Sequence, residues 1–356
     1  MKKQTQNYEL QKLIITEIQK HNENTSTYTL SSSDKSALAP MKSGQYLSVL
    51  AQIGDVFTSR PYSICSSPKD AQKGFYKLTI EKYDGGFFPN FVHDSFKIGD
   101  SVAVRGPAGD CCYDSAVDST RVVLLSGGSA VTPFISMMEA VDEGSEDYEI
   151  TLIYGNNTKA DIIFCDELAR LEKNPKIRVV NVLSEERVLG CEHGFITSEL
   201  IKKYLPDDGD YSLFICGPAA MYAFVDREIE KLNPNPARYH HQPYAVPRDL
   251  ENREDYCGDT DAIYTLTVID SQSGGIEKNV VCPAGETILV ALERAGIKAR
   301  ALCRSGECGF CKSKLLSGSV YVPQIGLTDR RESLKQGELH PCFTYATSDI
   351  CIEIWH

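Results

Sequence analysis

Cys303-Arg304-Ser305-Gly306-Glu307-Cys308-Gly309-Phe310-Cys311 sets three cysteines in a C-x4-C-x2-C run, and thirty residues separate Cys311 from Cys342. This is the ligand spacing of a plant-type two-iron two-sulfur cluster. Soft thiolates suit iron–sulfide centres better than imidazole or carboxylate, and four of them complete two tetrahedral irons. Gly306 and Gly309 accept backbone angles closed to other residues, which lets amides approach the sulfides. The competing readings are a zinc site or four unrelated buried thiols. Zinc ligands usually arrive as two short C-x2-C-like hooks, whereas here three share one loop and the fourth stands alone. The spacing predicts a chain that moves electrons singly, with Cys303, Cys308, Cys311 and Cys342 as metal ligands.

Working outward, 356 residues are too many for one ordinary core and imply two or three domains. Hydrophobic content of 42% and charged content of 24% are those of a soluble globular protein. A net charge of −12 gives a nucleic-acid role no electrostatic support. Met1-Lys2-Lys3 runs into polar residues where an export signal needs an apolar stretch. No segment approaches the eighteen apolar residues that span a membrane. These features predict a cytoplasmic protein with no membrane partner. In a reducing compartment the thirteen cysteines are four ligands plus nine thiols, most of them small buried apolar residues.

Residues 10 to 115 alternate over short stretches, Lys12 to Ile18, Tyr46 to Ala51, Phe75 to Lys82 and Ser101 to Arg105, punctuated by Gly and Pro. That pattern predicts a small antiparallel barrel. From about residue 120, apolar runs at Arg121 to Leu125, Glu149 to Tyr154, Ile177 to Val182 and Tyr211 to Cys216 alternate with helical stretches. Buried parallel strands with crossover helices produce such alternation. Asn233 to Thr260 holds four prolines and little periodicity, and reads as a linker. Beyond it, Tyr264 to Ile269 and Lys278 to Cys282 read as a hairpin, and Glu286 to Ala295 as a helix entering the cysteine loop.

Three short segments carry further chemistry. Arg60-Pro61-Tyr62-Ser63 ends a barrel strand and offers a phosphate-binding fork, a ring that can stack on a flavin and a hydroxyl. On composition alone these residues equally describe an ordinary strand end. Leu124 to Pro133 is a strand, a Gly127-Gly128 turn and a helix start, with Thr132 as a possible cap and Pro133 in the first turn, where amides can face a pyrophosphate. It lacks the GxGxxG pattern, and a mere tight turn is the alternative. Cys216-Gly217-Pro218 with Met221 sets a third strand end against a turn and a helix, at the edge of a parallel sheet where ligands bind.

Together these segments resemble the ferredoxin–NADP reductase superfamily across residues 5 to 232. The resemblance implies that Arg60 meets a flavin phosphate, with Pro61 between it and Tyr62, that Tyr62 stacks on the isoalloxazine, and that Ser63 lies by its reactive nitrogen. Gly85-Gly86-Phe87-Phe88-Pro89-Asn90 is similar to the family's flavin pyrophosphate loop, with Gly85, Gly86 and Asn90 as cofactor contacts. Pro89 stands where the family usually has Ser or Thr. For the nicotinamide half the resemblance implies Gly127, Gly128, Thr132, Pro133, Tyr154, Gly155, Cys216, Gly217, Pro218 and Met221. It places Cys216 beside the nicotinamide ring, so that Ser63 and Cys216 are the candidate catalytic pair. Asn156 and Asn157 occupy the place where NADPH-preferring relatives often carry arginine, which leans the cofactor towards NADH, with NADPH the alternative.

The order of modules is that of three-module oxygenase reductases. The expected fold is multidomain: an antiparallel β-barrel flavin domain (5–117), an α/β parallel-sheet nicotinamide domain (118–232), a linker (233–261) and an α+β β-grasp 2Fe-2S ferredoxin domain (262–356). RPYSICSSP, from Arg60 to Pro68, is closer to relatives that use FAD than to those that use FMN, so FAD is expected and FMN is the alternative. The expected function is transfer of electrons from NAD(P)H through flavin and cluster to a separate terminal oxygenase or hydroxylase. Two alternatives stand beside it: an anaerobic acceptor, such as a hybrid-cluster or demethylating metalloenzyme, and a non-enzymatic redox sensor or scaffold. The cluster rim near Arg304 and Ser305 is expected to be exposed and to meet the acceptor.

Overall fold

A computed structural model of the chain describes residues 9–34, 36–206, 209–242, 246, 250–271, 275–324 and 334–355. They fall into two compact units, residues 1–49 with 62–243, and residues 50–61 with 244–356.

The amino-terminal strands are β1 (Leu10–Lys20), β2 (Thr25–Ser31), β3 (Tyr46–Ile53), β4 (Val56–Ser63), β5 (Phe75–Glu81) and β6 (Ser101–Ala108), with helices α1 (Pro68–Gln72) and α2 (Phe87–Ser95). They form one sheet in the order β4-β3-β6-β1-β2-β5, and Ile64 bridges Leu78 to return the last strand to the first. That closure makes the barrel and leaves few open edges. Alternation puts Leu13 and Ile15 inward, each fully buried, and burial of such side chains stabilises by roughly 1.5–3 kcal/mol apiece. Strand β2 was hidden in a Thr- and Ser-rich stretch. Its hydroxyls are satisfied inside the barrel, as Thr27 Oγ1 lies 2.6 Å from Thr79 Oγ1, so a polar run is buried from Thr25 to Leu30.

The second half of this unit alternates strand and helix: β7 (Arg121–Gly127), α3 (Thr132–Asp142), β8 (Glu149–Asn156), α4 (Cys165–Leu171), β9 (Ile177–Leu183), β10 (Glu192–His193), α5 (Ser198–Lys202), β11 (Ser212–Cys216), α6 (Ala219–Glu230) and β12 (Tyr239–His241). The sheet is wholly parallel in the order β10-β9-β8-β7-β11-β12. Its central strands are mostly apolar and buried, as those of a covered parallel sheet are. Val123, Leu125, Ile153, Val182, Leu213 and Ile215 lie in one buried cluster with Val225 and Ile229 of α6.

Strand β12 corrects the expected linker, for Tyr239 to His241 pair with Leu213 to Ile215. Neighbouring prolines masked it. What holds it is packing that no local pattern announces: His240 stacks on Phe214 at 4.1 Å and bonds Asp118 at 2.6 Å. The parallel layer therefore runs to His241 rather than ending at residue 232.

In the second unit, β13 (Ile263–Asp270), β14 (Ile276–Pro283), α7 (Ile288–Arg294), β15 (Ser313–Ser317), β16 (Val320–Tyr321), β17 (Glu338–Leu339), β18 (Tyr345–Ala346) and β19 (Ile350–Ile354) follow in order. A mixed sheet β14-β13-β19-β15-β17 packs on α7, with β13 and β19 parallel. The expected hairpin is β13–β14 and the expected helix is α7.

Candidate functional site

Parallel register aligns the carboxyl ends of three strands. Ser126 stands opposite Tyr154 and Cys216, and Gly127 stands opposite Gly155. Gly128 has φ +55° and opens a short 3-10 turn, Gly128–Val131, before α3. This turn corrects the expected cap: Thr132 is the first residue of α3, follows Val131, and makes no side-chain cap bond, while Pro133 sits in the first turn. The phenol of Tyr154 is fully buried, and burial pushes its pKa up, so it stays a donor to Gly128 O at 2.9 Å. Ser126 Oγ donates to Cys216 O at 3.0 Å and ties β7 to β11.

Two glycines here are dictated by Met221. A Cβ on Gly127 would meet Met221 Sδ at 2.8 Å and Pro218 Cδ at 3.3 Å, and a Cβ on Gly217 would meet the same sulfur at 2.4 Å. Real contacts of that kind lie near 3.5–4.0 Å. Met221 therefore wedges between the two turns and draws Gly127, Gly217 and Pro218 together.

On the barrel side, Tyr62 lies 6.1 Å from Phe88, the rings tilted by 36°. Arg60 Nη1 donates to Thr58 Oγ1 and to Ser59 O, both at 2.7 Å. The Gly85-Gly86 loop turns at Gly85, φ +74°, and leads into α2, whose cap Gly86 supplies no side-chain bond. Asn90 Oδ1 accepts from Tyr83 N at 3.2 Å and closes the loop. Pro89 occupies the third position of α2, where a helix has no internal use for the amide that proline lacks. A helix start of this kind suits an anionic phosphate.

Gln242 is the residue that sequence reasoning missed. Its amide donates to Ile215 O at 3.1 Å, Nε2 donates to Ser63 Oγ at 3.4 Å, and its carbonyl accepts from Tyr222 Oη. Tyr222 Oη accepts in turn from Gly217 N at 3.1 Å. Gln242 thus joins Ser63 of the barrel to the Cys216-Gly217 turn of the parallel sheet. Its Oε1 is buried with no protein partner, which suits a site built to bond a ligand. The only signal in sequence was its place just past a strand disguised as linker. Cys216 itself is fully buried.

In the second unit, Cys303, Cys308, Cys311 and Cys342 are all buried. Among the described residues no three His, Cys, Asp or Glu side chains are arranged around a single ion. The four thiols instead make sulfur contacts: Cys311 Sγ lies 3.3 Å from Cys342 Sγ, and Cys303 interacts with Cys308 and Cys342. Amides of Ser305 and Cys308 point at Cys303 Sγ, at 3.4 and 3.5 Å, and that of Phe310 at Cys308 Sγ, at 3.4 Å. Hydrogen bonds from the Cys308 and Cys342 thiols, aided by the Ser305 side chain and the Cys308 amide and opposed by burial, hold the Cys303 thiol well below its usual range. A soft, buried, amide-supplied donor set is what a two-iron cluster requires. The exposed rim is corrected: Ser305 is 1% exposed, and the Arg304 side chain is 10% exposed and engaged by Glu293.

The oxidoreductase FAD-binding domain family matches residues 12–113, the oxidoreductase NAD-binding domain family residues 124–227, and the 2Fe-2S iron-sulfur cluster binding domain family residues 271–347. NADH-cytochrome b5 reductase 1 of Dictyostelium discoideum is 31% identical over 218 residues, covering 60% of this chain and 75% of the relative. The chain belongs to the ferredoxin–NADP reductase superfamily. Within that superfamily it is a flavin-dependent nicotinamide oxidoreductase with FAD-binding, NAD-binding and 2Fe-2S domains, so FAD takes precedence over FMN and the sensor or scaffold alternative falls away. The glycine betaine monooxygenase reductase subunit of Chromohalobacter salexigens is 26% identical over 333 residues, 90% of this chain and 89% of the relative. Among solved structures, phthalate dioxygenase reductase superposes with TM-score 0.68 at 19% identity over 97% of this chain and 98% of that one, which shows a shared three-module fold. Among the described residues no helix is long and apolar enough to cross a membrane.

Proposed function

We propose that this reductase passes electrons from NADH, through FAD held along β4 and a cluster on Cys303, Cys308, Cys311 and Cys342, to a separate terminal oxygenase. The observation that carries the proposal is one chain with a ligand-ready polar joint, Ser63–Gln242–Gly217, and a buried four-thiol loop lined by amides. FAD, when bound, converts a two-electron hydride donor into a source of single electrons for the cluster. The residues of the chain supply position. Arg60 and the start of α2 suit the flavin's phosphates, Tyr62 its ring, and Ser63 and Gln242 the polar edge where hydride arrives. Gly127, Gly128, Gly155 and the Cys216–Pro218 turn line the strand ends where NADH would lie. An oxygenase as acceptor is supported by the monooxygenase reductase subunit among the relatives.

Preference for NADH is part of the proposal. Glu185 N donates to Asn157 O at 3.0 Å, and Ser184 Oγ reaches Asn157 Oδ1 at 3.3 Å, so the Asn157 loop faces a segment carrying Glu185 and Glu186. Those two carboxylates, with only Arg187 directly after them to offset their charge, leave the segment net negative, which disfavours a ribose phosphate. The domain limits proposed are 5–117, 118 to about 242 and 262–356, and a reducing cytoplasm suits a chain that carries thirteen cysteines. The test is NADH-driven turnover of a terminal oxygenase co-purified from the native host. Coupled product formation is expected, and NADH oxidation without transfer to any captured partner would overturn the proposal.

A further inference from the structure

Asn233 to Thr260 reads as linker in sequence, yet Leu250 to Tyr256 are fastened down within the cysteine-loop unit. Arg253 and Asp255 pair side by side: Arg253 Nε donates to Asp255 Oδ1 at 3.0 Å, and Nη2 to Oδ2 at 3.3 Å. Together they grip one residue of another segment. Arg253 Nη2 donates to Gln324 O at 2.8 Å, and Gln324 N donates to Asp255 Oδ2 at 3.1 Å. Both backbone groups of Gln324 are thus taken, as they would be by an added strand. Arg253 Nε also donates to Tyr321 Oη at 2.8 Å, and the Tyr256 ring stands edge-on to Tyr321 at 4.9 Å. Burial would raise the Asp255 carboxyl, but the bonds from Arg253 and the Gln324 amide hold it down at about 2, so the pair stays charged near neutral pH.

The two residues that Arg253 grips, Tyr321 and Gln324, flank Val322. That side chain packs with Val246 against Leu289, Cys311, Cys342 and Phe343. Val246 comes from the stretch of chain that carries the clasp, so one valine from each side of the joint helps to bury Cys311 and Cys342, which are 5% and 3% exposed. An ion pair whose side chains are 22% and 31% exposed adds little stability by itself. What it supplies is geometry. From this we infer that Val246 and the segment Leu250–Tyr256 are a strap that seals the Cys311–Cys342 side of the cluster site against water, with Arg253 and Asp255 as its clasp. The clasp residues are positioning residues, acting through Gln324 and Val322. Solvent access governs the potential of such a centre. Reduction adds negative charge, which water favours, so the seal holds the potential low.

The inference rests on the proposal that these four cysteines hold a two-iron cluster, and the experiment separates the two. The full-length holoprotein, its Arg253→Ala and its Val246→Ser are challenged anaerobically with EDTA while cluster absorbance is followed, and each is titrated for cluster potential and measured by hydrogen–deuterium exchange. Arg253→Ala is expected to lose its cluster about 10- to 100-fold faster, the change in open population that a lost charge-assisted bond sets, with a higher potential and faster exchange over 320–324. Val246→Ser keeps the clasp and is expected to raise the potential and speed the loss while that exchange stays at the wild-type rate. Flavin bleaching by NADH is expected at the wild-type rate in both. If Arg253→Ala sheds its cluster during purification, Arg253→Lys, which keeps the charge but loses the fork, gives the same readings. A lowered Tm beside wild-type cluster loss and potential would leave Arg253 a purely structural residue and overturn the inference, as would wild-type exchange over 320–324 in Arg253→Ala. Wild-type protein that binds flavin but holds no two-iron cluster would instead overturn the relay, and the exchange would still decide the clasp.

Discussion

Gly217→Ala tests the packing that builds the nicotinamide turn. The added Cβ would stand 2.4 Å from Met221 Sδ, 3.1 Å from its Cγ and 3.2 Å from its Cβ. Comfortable contacts begin near 3.5 Å, so the sulfur must retreat by about 1 Å. The close contact with Met221 Cβ means that rotating the thioether does not relieve the overlap, and α6 or the turn must shift. Overpacking of this kind costs about 1–3 kcal/mol, and each kcal/mol lowers Tm by about 2–4 °C in a unit of 150–250 residues. A shifted turn also weakens NADH binding, and a loss of 1.4 kcal/mol is about tenfold. Thermal melts should show a drop of several degrees, and NADH titrations a KM raised about tenfold. Met221→Ala in the same chain removes the obstacle and should recover most of both. A single variant with wild-type Tm and KM, or a double variant with no recovery, would refute the wedge.

Other predictions follow from the same contacts. Gln242→Ala removes the bond to Ser63 and should slow flavin bleaching by NADH about tenfold, in line with a hydrogen bond worth roughly 0.5–1.5 kcal/mol, while the far-UV spectrum stays unchanged; a wild-type rate would deny Gln242 a part in hydride transfer. For Asp118, burial would by itself raise the carboxyl, but the bond and charge of His240, with the Asp114 amide and Ser212, hold it below its usual value. A depressed carboxyl stabilises above the unfolded value of about 3.9 and loses that contribution as pH falls through the folded value. Urea midpoints between pH 3 and 6 should therefore fall on acidification, with a shallower fall in Asp118→Asn. Glu186→Arg should raise activity with NADPH relative to NADH, read as the ratio of kcat/KM, and an unmoved ratio would remove the carboxylate account of nucleotide preference.

Much of the fold was legible because its signals are local. The parallel strands β7, β8, β9 and β11 are continuous apolar runs, and the cysteine loop is a fixed spacing in one stretch. What escaped notice depends on partners far along the chain. Strand β2 is polar in sequence and is buried only because Thr27 meets Thr79. Strand β12 looks like linker and is held by Phe214 and Asp118. Gln242 gains meaning only when β12 carries it to Ser63, and Arg304, which its charge marks for the surface, is drawn inward by Glu293. The glycines at 127 and 217 were read as turn residues, while the structure adds that Met221 forbids anything larger.

The most direct measurement of the central claim is anaerobic mixing of the holoprotein with NADH, freeze-quenched and followed by electron paramagnetic resonance. Loss of flavin absorbance should be followed by the signal of a reduced two-iron cluster, and Cys303→Ser should abolish that signal while flavin bleaching persists. Bleached flavin beside a cluster that stays oxidised in the wild-type protein would contradict the account.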